Sequence, residues 1–117
     1  MATILLLEDN RDMLFALEEA LAINGHSVII GKNGMDGIHE LESCTPDLII
    51  SDVNMPQMNG FDFLRRLRAH QRWQDIPVTI MSGKRDDEKT ALSLGANAFM
   101  PKPFNFMELD RILGELL

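Results

Sequence analysis

The stretch DLIISDVNMPQMNG, residues 47–60, contains a short apolar run, residues 48–50, that ends at Ser51 and Asp52. Similar apolar runs lie elsewhere along the chain, at residues 4–7, 28–30, 78–81 and 98–100. All five are continuously apolar instead of alternating in polarity, which is typical of parallel strands that helices cover on both faces. None of the five therefore has the pattern of an exposed edge strand.

Longer stretches with apolar residues three and four positions apart separate these runs and predict helices. The stretch at residues 87–94 has the weakest pattern of the five. Gly25 and Gly95 stand where glycines end helices, and Asn105 with Glu108 has the spacing of a capping box. The alternation predicts an α/β fold, a doubly wound five-stranded parallel sheet in the flavodoxin-like order 2-1-3-4-5 with helices on both faces.

The chain has 117 residues, with 18 Asp and Glu against 11 Lys and Arg and a net charge of −7. This length accommodates one domain, residues 1–117, and leaves no room for a second. No apolar run approaches the roughly 20 residues of a membrane-spanning helix, and carboxylates interrupt the start MATILLLEDN, so we expect a cytoplasmic protein that does not enter membranes.

The surplus of negative charge argues against direct nucleic-acid binding, which requires clustered Lys and Arg. Four arginines that cluster on the third predicted helix are interpreted as a solvated face: Arg65, Arg66, Arg68 and Arg72. The lone Cys44 has no partner for an internal disulfide, and the three histidines are too dispersed to suggest a zinc site.

Polar side chains follow four of the predicted strands: Glu8 and Asp9, Asp52, Ser82, and Lys102. In the order 2-1-3-4-5 these strand ends are near neighbours, and the functional crevice of such sheets lies at the carboxyl ends of the strands. Three carboxylates beside a single ammonium repel one another unless they bind a cation or a proton. Carboxylates with a main-chain carbonyl and waters form the ligand set of Mg²⁺, which the sequence therefore predicts here.

Each of these residues also has an ordinary structural interpretation. Glu8 and Asp9 could end a strand and cap a helix, Asp52 could be a loop residue, and Ser82 could be a turn residue before a glycine. Lys102 lies between Pro101 and Pro103, which restrict its backbone and aim its side chain. Their joint occurrence at four strand ends favours a functional site.

With these residues in place, the chain resembles the receiver domain of two-component response regulators over nearly its whole length. Four segments carry the resemblance: LLLEDN at the start, DVNMPQMNG at 52–60, IPVTIMSG at 76–83 and LGANAFMPKPF at 94–104. The resemblance implies that Asp52 accepts a phosphoryl group from a phosphohistidine of a histidine kinase or histidine phosphotransfer protein. Such a domain catalyses only its own phosphorylation and dephosphorylation.

The resemblance also assigns roles to the surrounding residues. Glu8 and Asp9 would hold Mg²⁺ together with Asp52 and the main-chain carbonyl of Asn54, while Ser82 and Lys102 would bind the phosphoryl oxygens. The Lys102–Pro103 peptide corresponds to one that is usually cis in this family. Phe99 occupies the position of the aromatic switch residue, and phosphorylation would draw Ser82 toward the phosphate and Phe99 inward. The surface of the fourth helix, fifth strand and fifth helix would change as a result.

The sequence departs from the commonest receiver pattern at Gly83 and in the short interval from Ser82 to Lys102. The fourth helix is therefore expected to be short or loose, which leaves open the mode of partner contact, whether a phosphorylation-dependent homodimer, a downstream protein target or a fused output domain. The chain ends with the fifth helix, which fits a stand-alone receiver or one taken from a longer protein.

Three alternatives remain open at this point. The domain could be a receiver-shaped interaction module that is never phosphorylated. It could be a Mg²⁺-dependent phosphatase of the haloacid dehalogenase type, although their nucleophile follows the first strand of a longer chain. A flavin-binding flavodoxin is disfavoured because two carboxylates open the loop that would have to accept a phosphate.

Overall fold

The computed structural model describes all 117 residues and consists of five strands that alternate with five helices. The strands are β1 (Thr3–Leu7), β2 (Ser27–Gly31), β3 (Leu48–Asp52), β4 (Val78–Ser82) and β5 (Ala98–Pro101). The helices are α1 (Arg11–Ile23), α2 (Gly34–Leu41), α3 (Gly60–Ala69), α4 (Asp87–Ser93) and α5 (Phe106–Leu116). Each predicted strand is present and extends by one or two residues beyond its apolar run.

The strands form one parallel sheet in the order β2-β1-β3-β4-β5, which confirms the predicted α/β fold and strand order. In the ladder, Leu7 pairs with Ser51 and Asp52 pairs with Met81. Ser82 pairs in turn with Pro101. The carboxyl ends of β1, β3, β4 and β5 are therefore level along one edge of the sheet.

Two apolar layers cover the sheet, one on each face. Alternate residues of a strand point to opposite faces, and β3 accordingly sends Ile49 into the layer with α2, α3 and α4 and Ile50 into the layer with α1 and α5. Phe63 of α3 is fully buried in the first layer, and Leu17 of α1 is fully buried in the second. The strand ends therefore lie at the edge of a sheet that is covered on both faces.

Asparagine side chains cap four of the five helices. Asn10, Asn33, Asn59 and Asn105 each accept a hydrogen bond from the backbone N–H three residues later. Such caps satisfy backbone donors that would otherwise lack a partner in the first turn. The cap predicted at Asn105 is confirmed, and the other three place the β1–α1, β2–α2 and β3–α3 loops.

The ends of α1 and α4 also follow the prediction. Gly25 has a φ of 86° and Gly95 has a φ of 104°, a left-handed conformation that glycine adopts without strain. Helix α4 has seven residues and Ala91 is its only buried one, so the expectation of a short fourth helix is confirmed. No helix is both long and apolar enough to span a membrane.

The interpretation that no strand is exposed at an edge is wrong for β2. This strand lies at the margin of the sheet, Ser27 is exposed, and Ile30 keeps 36% of its surface accessible. A continuous apolar run measures local hydrophobicity only, whereas strand order decides which run receives a neighbour on one side alone.

The prediction of four arginines on one solvated helix face is wrong for two of them. Arg72 lies beyond the end of α3 at Ala69, and Arg68 is not solvated. Its guanidinium donates to the carbonyl oxygens of Gly95 (3.0 Å), Gln74 (2.9 Å) and Ile76 (2.7 Å), and to Oδ1 of Asn97 (2.9 Å). Several donors in one planar group allow Arg68 to hold the α3–β4 and α4–β5 loops together. Arg65, by contrast, pairs with Asp62 on the exposed face of α3, as expected for a solvated residue.

Candidate functional site

Lys102 joins the ends of β1 and β3. Its Nζ atom lies 2.8 Å from Oε1 of Glu8 and 3.0 Å from Oδ1 of Asp52. Glu8 is fully buried and Asp52 is 5% exposed, whereas the Lys102 side chain is 22% exposed. Two nearly buried carboxylates thus share one ammonium, an arrangement that leaves one negative charge without an ionic partner.

The pKa values of this group follow from its burial and charges. Burial alone would lower the pKa of Lys102, but hydrogen bonds to Glu8 and Asp52 and the charges of these carboxylates outweigh burial and raise it. Burial raises the pKa of Glu8, and the hydrogen bond from Lys102 opposes that shift only in part while the charge of Asp52 adds to it. Lys102 is therefore held charged, whereas burial and the charge of Asp52 favour the protonated form of Glu8.

The third carboxylate of the predicted site lies beside the first two. Asp9 is exposed, and its carboxylate, with those of Glu8 and Asp52, forms a cluster in which one oxygen from each residue lies within 4.8 Å of the others. Three carboxylates at this spacing, with one ammonium between them, offer the oxygen donors that a hard divalent cation requires. The residues present therefore fit Mg²⁺, although a cation would compete with the Lys102 ammonium for Glu8 and Asp52.

The backbone behind Asp52 is fixed by the start of α3. The N–H of Gly60 donates to the carbonyl oxygen of Val53 at 2.9 Å, which folds the β3–α3 loop back on the strand. A Cβ atom at position 60 would collide with the carbonyl oxygen of Asp52, so only glycine fits here. Asn54 lies in this loop and is exposed.

Ser82 ends β4 and is 1% exposed. Its Oγ atom donates to Oδ2 of Asp87 at 2.5 Å and accepts from the N–H of Lys84 at 3.0 Å. The hydroxyl that sequence analysis assigns to phosphoryl binding thus has a carboxylate partner on α4. Sequence reasoning missed Asp87, because an Asp at the start of a helix ordinarily signals helix initiation and nothing in the local pattern connects it to Ser82.

The remaining predicted residues lie close behind this edge. Phe99 of β5 is 8% exposed and belongs to the apolar layer shared with α2, α3 and α4, so it has little surface left to bury by moving inward. The Lys102–Pro103 peptide bond is cis. The backbone N–H of Lys102 donates to the carbonyl oxygen of Ser82 at 2.8 Å, which ties the lysine to the end of β4.

Comparison with known proteins finds relatives over nearly the whole chain. The transcriptional regulatory protein TctD of Salmonella typhimurium is 39% identical over 116 residues, which cover 97% of this chain and 51% of that protein. The chain thus spans about half the length of this curated relative.

Solved structures share the fold. The chemotaxis response regulator CheY4 of Vibrio cholerae has a TM-score of 0.92 at 27% identity, covering 100% of this chain and 99% of that one. The receiver domain of the sensor histidine kinase PA1611 of Pseudomonas aeruginosa has a TM-score of 0.91 at 28% identity, covering 98% and 96%, and that structure has a magnesium ion coordinated in its active-site cleft.

A family model described as the response regulator receiver domain matches residues 4–113, nearly the whole chain. The match includes every residue of the strand-end site and all five strands except Thr3, the first residue of β1. The chain therefore belongs to the response regulator receiver domain family.

Proposed function

We propose that this receiver domain accepts a phosphoryl group on the carboxylate of Asp52 from a phosphohistidine of a histidine kinase or histidine phosphotransfer protein. The observation that carries the proposal is the pairing of Asp52, at the end of the central strand, with the Lys102 ammonium at 3.0 Å. An ammonium at this distance places a fixed positive charge beside the carboxylate oxygen that would attack phosphorus. The remaining acidic residues of the site lie beside this pair.

The transfer forms a bond from an Asp52 oxygen to phosphorus as the bond from phosphorus to the histidine nitrogen breaks, with the electron pair leaving on that nitrogen. Its transition state is loose and spreads negative charge over the equatorial oxygens, so positioning and charge neutralisation supply most of the catalysis. Lys102 supplies a fixed positive charge, and the buried Glu8 holds that ammonium in place at 2.8 Å. The domain performs only its own phosphorylation and dephosphorylation.

Glu8 and Asp9, with Asp52 and the main-chain carbonyl of Asn54, are the residues that would hold Mg²⁺. When bound, the ion supplies additional positive charge against the phosphoryl oxygens. Asp9 is the exposed member of the acidic cluster, which makes its carboxylate the one best able to meet a hydrated cation. Glu8 and Asp52 contribute oxygens that already share the Lys102 ammonium.

The signal then passes through Ser82 and the surface formed by α4, β5 and α5. A phosphate adds about −1.5 to −2 charge and strong acceptor oxygens beside the end of β4. The output is proposed to reach a downstream protein or a fused output domain, with a phosphorylation-dependent homodimer as one form of that contact. Curated relatives such as TctD are named as transcriptional regulators, which supports an output domain in a longer protein.

The test is labelling with a small acyl phosphate in the presence of Mg²⁺, read by intact mass spectrometry. The wild type and the control Asp75→Asn, which neutralises an exposed aspartate on the α3–β4 loop, are expected to gain one phosphoryl group, and Asp52→Asn none. Equal labelling of Asp52→Asn would contradict the assignment. An unlabelled wild type would favour the receiver-shaped interaction module, and steady turnover of phosphate esters would favour the phosphatase.

A further inference from the structure

The proton of the Ser82 hydroxyl is bound away from the proposed phosphorylation site. It donates its hydrogen bond to Oδ2 of Asp87 at 2.5 Å and accepts one from the N–H of Lys84 at 3.0 Å. A serine hydroxyl carries a single proton and can donate one hydrogen bond at a time. A bond from Ser82 to Asp87 therefore excludes a bond from the same proton to a phosphoryl oxygen.

Asp87 is well placed to act as a competitor because of its position in the chain. It is the first residue of α4 and is half-buried against the end of β4, whereas the neighbouring Asp86 is exposed and makes no side-chain capping hydrogen bond. A carboxylate is a charged acceptor, and bonds to charged acceptors are shorter and stronger than bonds between neutral groups. The contact thus ties the last residue of β4 to the first turn of a short helix.

Helix α4 contributes few buried side chains to the core. Ala91 is its only buried residue, and the turn that precedes it carries the exposed residues 83–86. The bond between Ser82 and Asp87 is consequently a side-chain connection between the strand-end site and the start of this helix. Its loss would release both partners at once.

We propose that Asp87 is a positioning residue that holds Ser82 in the resting form, and that phosphorylation acts by taking the Ser82 proton away from Asp87. This inference rests on the proposed function of Asp52. The phosphoryl group has a greater negative charge than the Asp87 carboxylate and three acceptor oxygens, so the Ser82 hydroxyl donates to it in preference to Asp87. Ser82 then turns toward Asp52 and the first turn of α4 is freed, which couples the chemistry to the α4–β5–α5 surface.

The consequence is that Asp87 lowers the affinity of the domain for any phosphoryl group or phosphate mimic. The test measures the affinity for beryllofluoride with Mg²⁺ by isothermal titration calorimetry. Asp87→Ala removes the competing acceptor and is expected to tighten binding about tenfold, because Ser82 no longer has to break a hydrogen bond to a carboxylate before it can bind beryllofluoride. Asp86→Ala removes the same charge one residue away and is expected to stay within about twofold of the wild type.

A double variant separates this role from general loosening of α4. Ser82→Ala is expected to weaken beryllofluoride binding, and adding Asp87→Ala to it should then change nothing, because the two residues act through one hydrogen bond. Asp87→Asn, which keeps an acceptor oxygen but removes its charge, should lie between the wild type and Asp87→Ala. Circular dichroism of each variant establishes that it is folded.

Several outcomes would overturn the inference. Asp87→Ala could bind beryllofluoride no more tightly than Asp86→Ala, or its gain could persist undiminished when Ser82 is alanine. Either result would show that Asp87 does not compete for the Ser82 proton while leaving Asp52 as the acceptor. A wild type that binds no beryllofluoride would instead overturn the proposed function of Asp52, and this inference with it.

Discussion

Replacing Lys102 by methionine is the perturbation that most directly tests the charge arrangement of the site. Methionine keeps much of the length of the side chain and removes the ammonium that lies 2.8 Å from Glu8 and 3.0 Å from Asp52. Both carboxylates remain nearly buried, at 0% and 5% exposure. The variant therefore leaves two like charges together in a poorly solvated place.

The size of the effect follows from the burial of these groups. Removing one partner of a buried ion pair costs about 3–5 kcal/mol. Two features reduce this cost: the Lys102 side chain is 22% exposed, and Glu8 can become neutral by binding a proton. We therefore expect the free energy of unfolding to fall by about 2–3 kcal/mol near neutral pH. Lys89→Met, at an exposed position on α4, is the matched control and should change the free energy of unfolding by less than about 0.5 kcal/mol.

The loss should depend on pH with a definite sign. The pKa of Glu8 in the folded state lies above its ordinary value of 4.5, and it should rise further without the ammonium. The folded state therefore binds the Glu8 proton more tightly than the unfolded state does, and ionised Glu8 destabilises the fold. The stability associated with Glu8 is present below 4.5 and is lost as pH rises through the raised pKa. The Lys102→Met penalty should accordingly be small near about pH 5 and larger near about pH 8.

The assay is urea unfolding of both variants and the wild type, with and without Mg²⁺. Mg²⁺ should stabilise Lys102→Met more than the wild type, because no ammonium competes for the Glu8 and Asp52 oxygens and binding to the folded form adds to stability. The reasoning is refuted by a Lys102→Met midpoint equal to that of the wild type near about pH 8 without Mg²⁺. Equal stabilisation of the two proteins by Mg²⁺ would refute the competition between ion and ammonium.

Three further outcomes are expected. In Asp9→Ala, Mg²⁺ should increase labelling much less than in the wild type, because the variant lacks the exposed carboxylate of the cluster. Labelling of the wild type that persists in excess chelator would contradict this expectation. Ser82→Ala should still be phosphorylated, since Asp52 remains. The changes in NMR chemical shift caused by beryllofluoride should, however, be confined to residues near Asp52. Chemical-shift changes through α4 and β5 as extensive as those of the wild type would count against the switch. Arg68→Ala should lower the free energy of unfolding by about 2 kcal/mol, because it loses its hydrogen bonds to two loops. The control Arg66→Ala, on the exposed face of α3, should change the urea midpoint little. Equal midpoints for the two variants would show that Arg68 does not hold the loops together.

The strand order and the site edge were predictable because both depend on local patterns. Apolar runs such as residues 48–50 mark buried parallel strands, and the rules for crossover connections leave few topologies for five of them. Once the order is known, the carboxyl ends of β1, β3, β4 and β5 lie along one edge, so Glu8, Asp52, Ser82 and Lys102 had to be near one another.

The predicted order already places β2 at the margin of the sheet, but its apolar pattern did not reveal an exposed strand, and the role of Arg68 could not be predicted from local pattern at all. A run such as residues 28–30 is apolar whether a strand lies beside it on one side or on both. Arg68 stands among other arginines on α3, and only the folded chain brings the carbonyl oxygens of the α3–β4 and α4–β5 loops to its guanidinium.

The sequence by itself determined which residues lie at the site. Hydrophobic periodicity is a property of neighbouring residues, and it shows where each strand ends and therefore which side chains lie at the carboxyl edge of the sheet. Tertiary structure alone decided how those residues pair. Lys102 is 94 positions from Glu8 in the chain, and its choice of Glu8 and Asp52 depends on side-chain directions that packing sets. The Ser82 hydroxyl likewise turns to Asp87, because a group with a single proton takes the acceptor that the fold places within its reach.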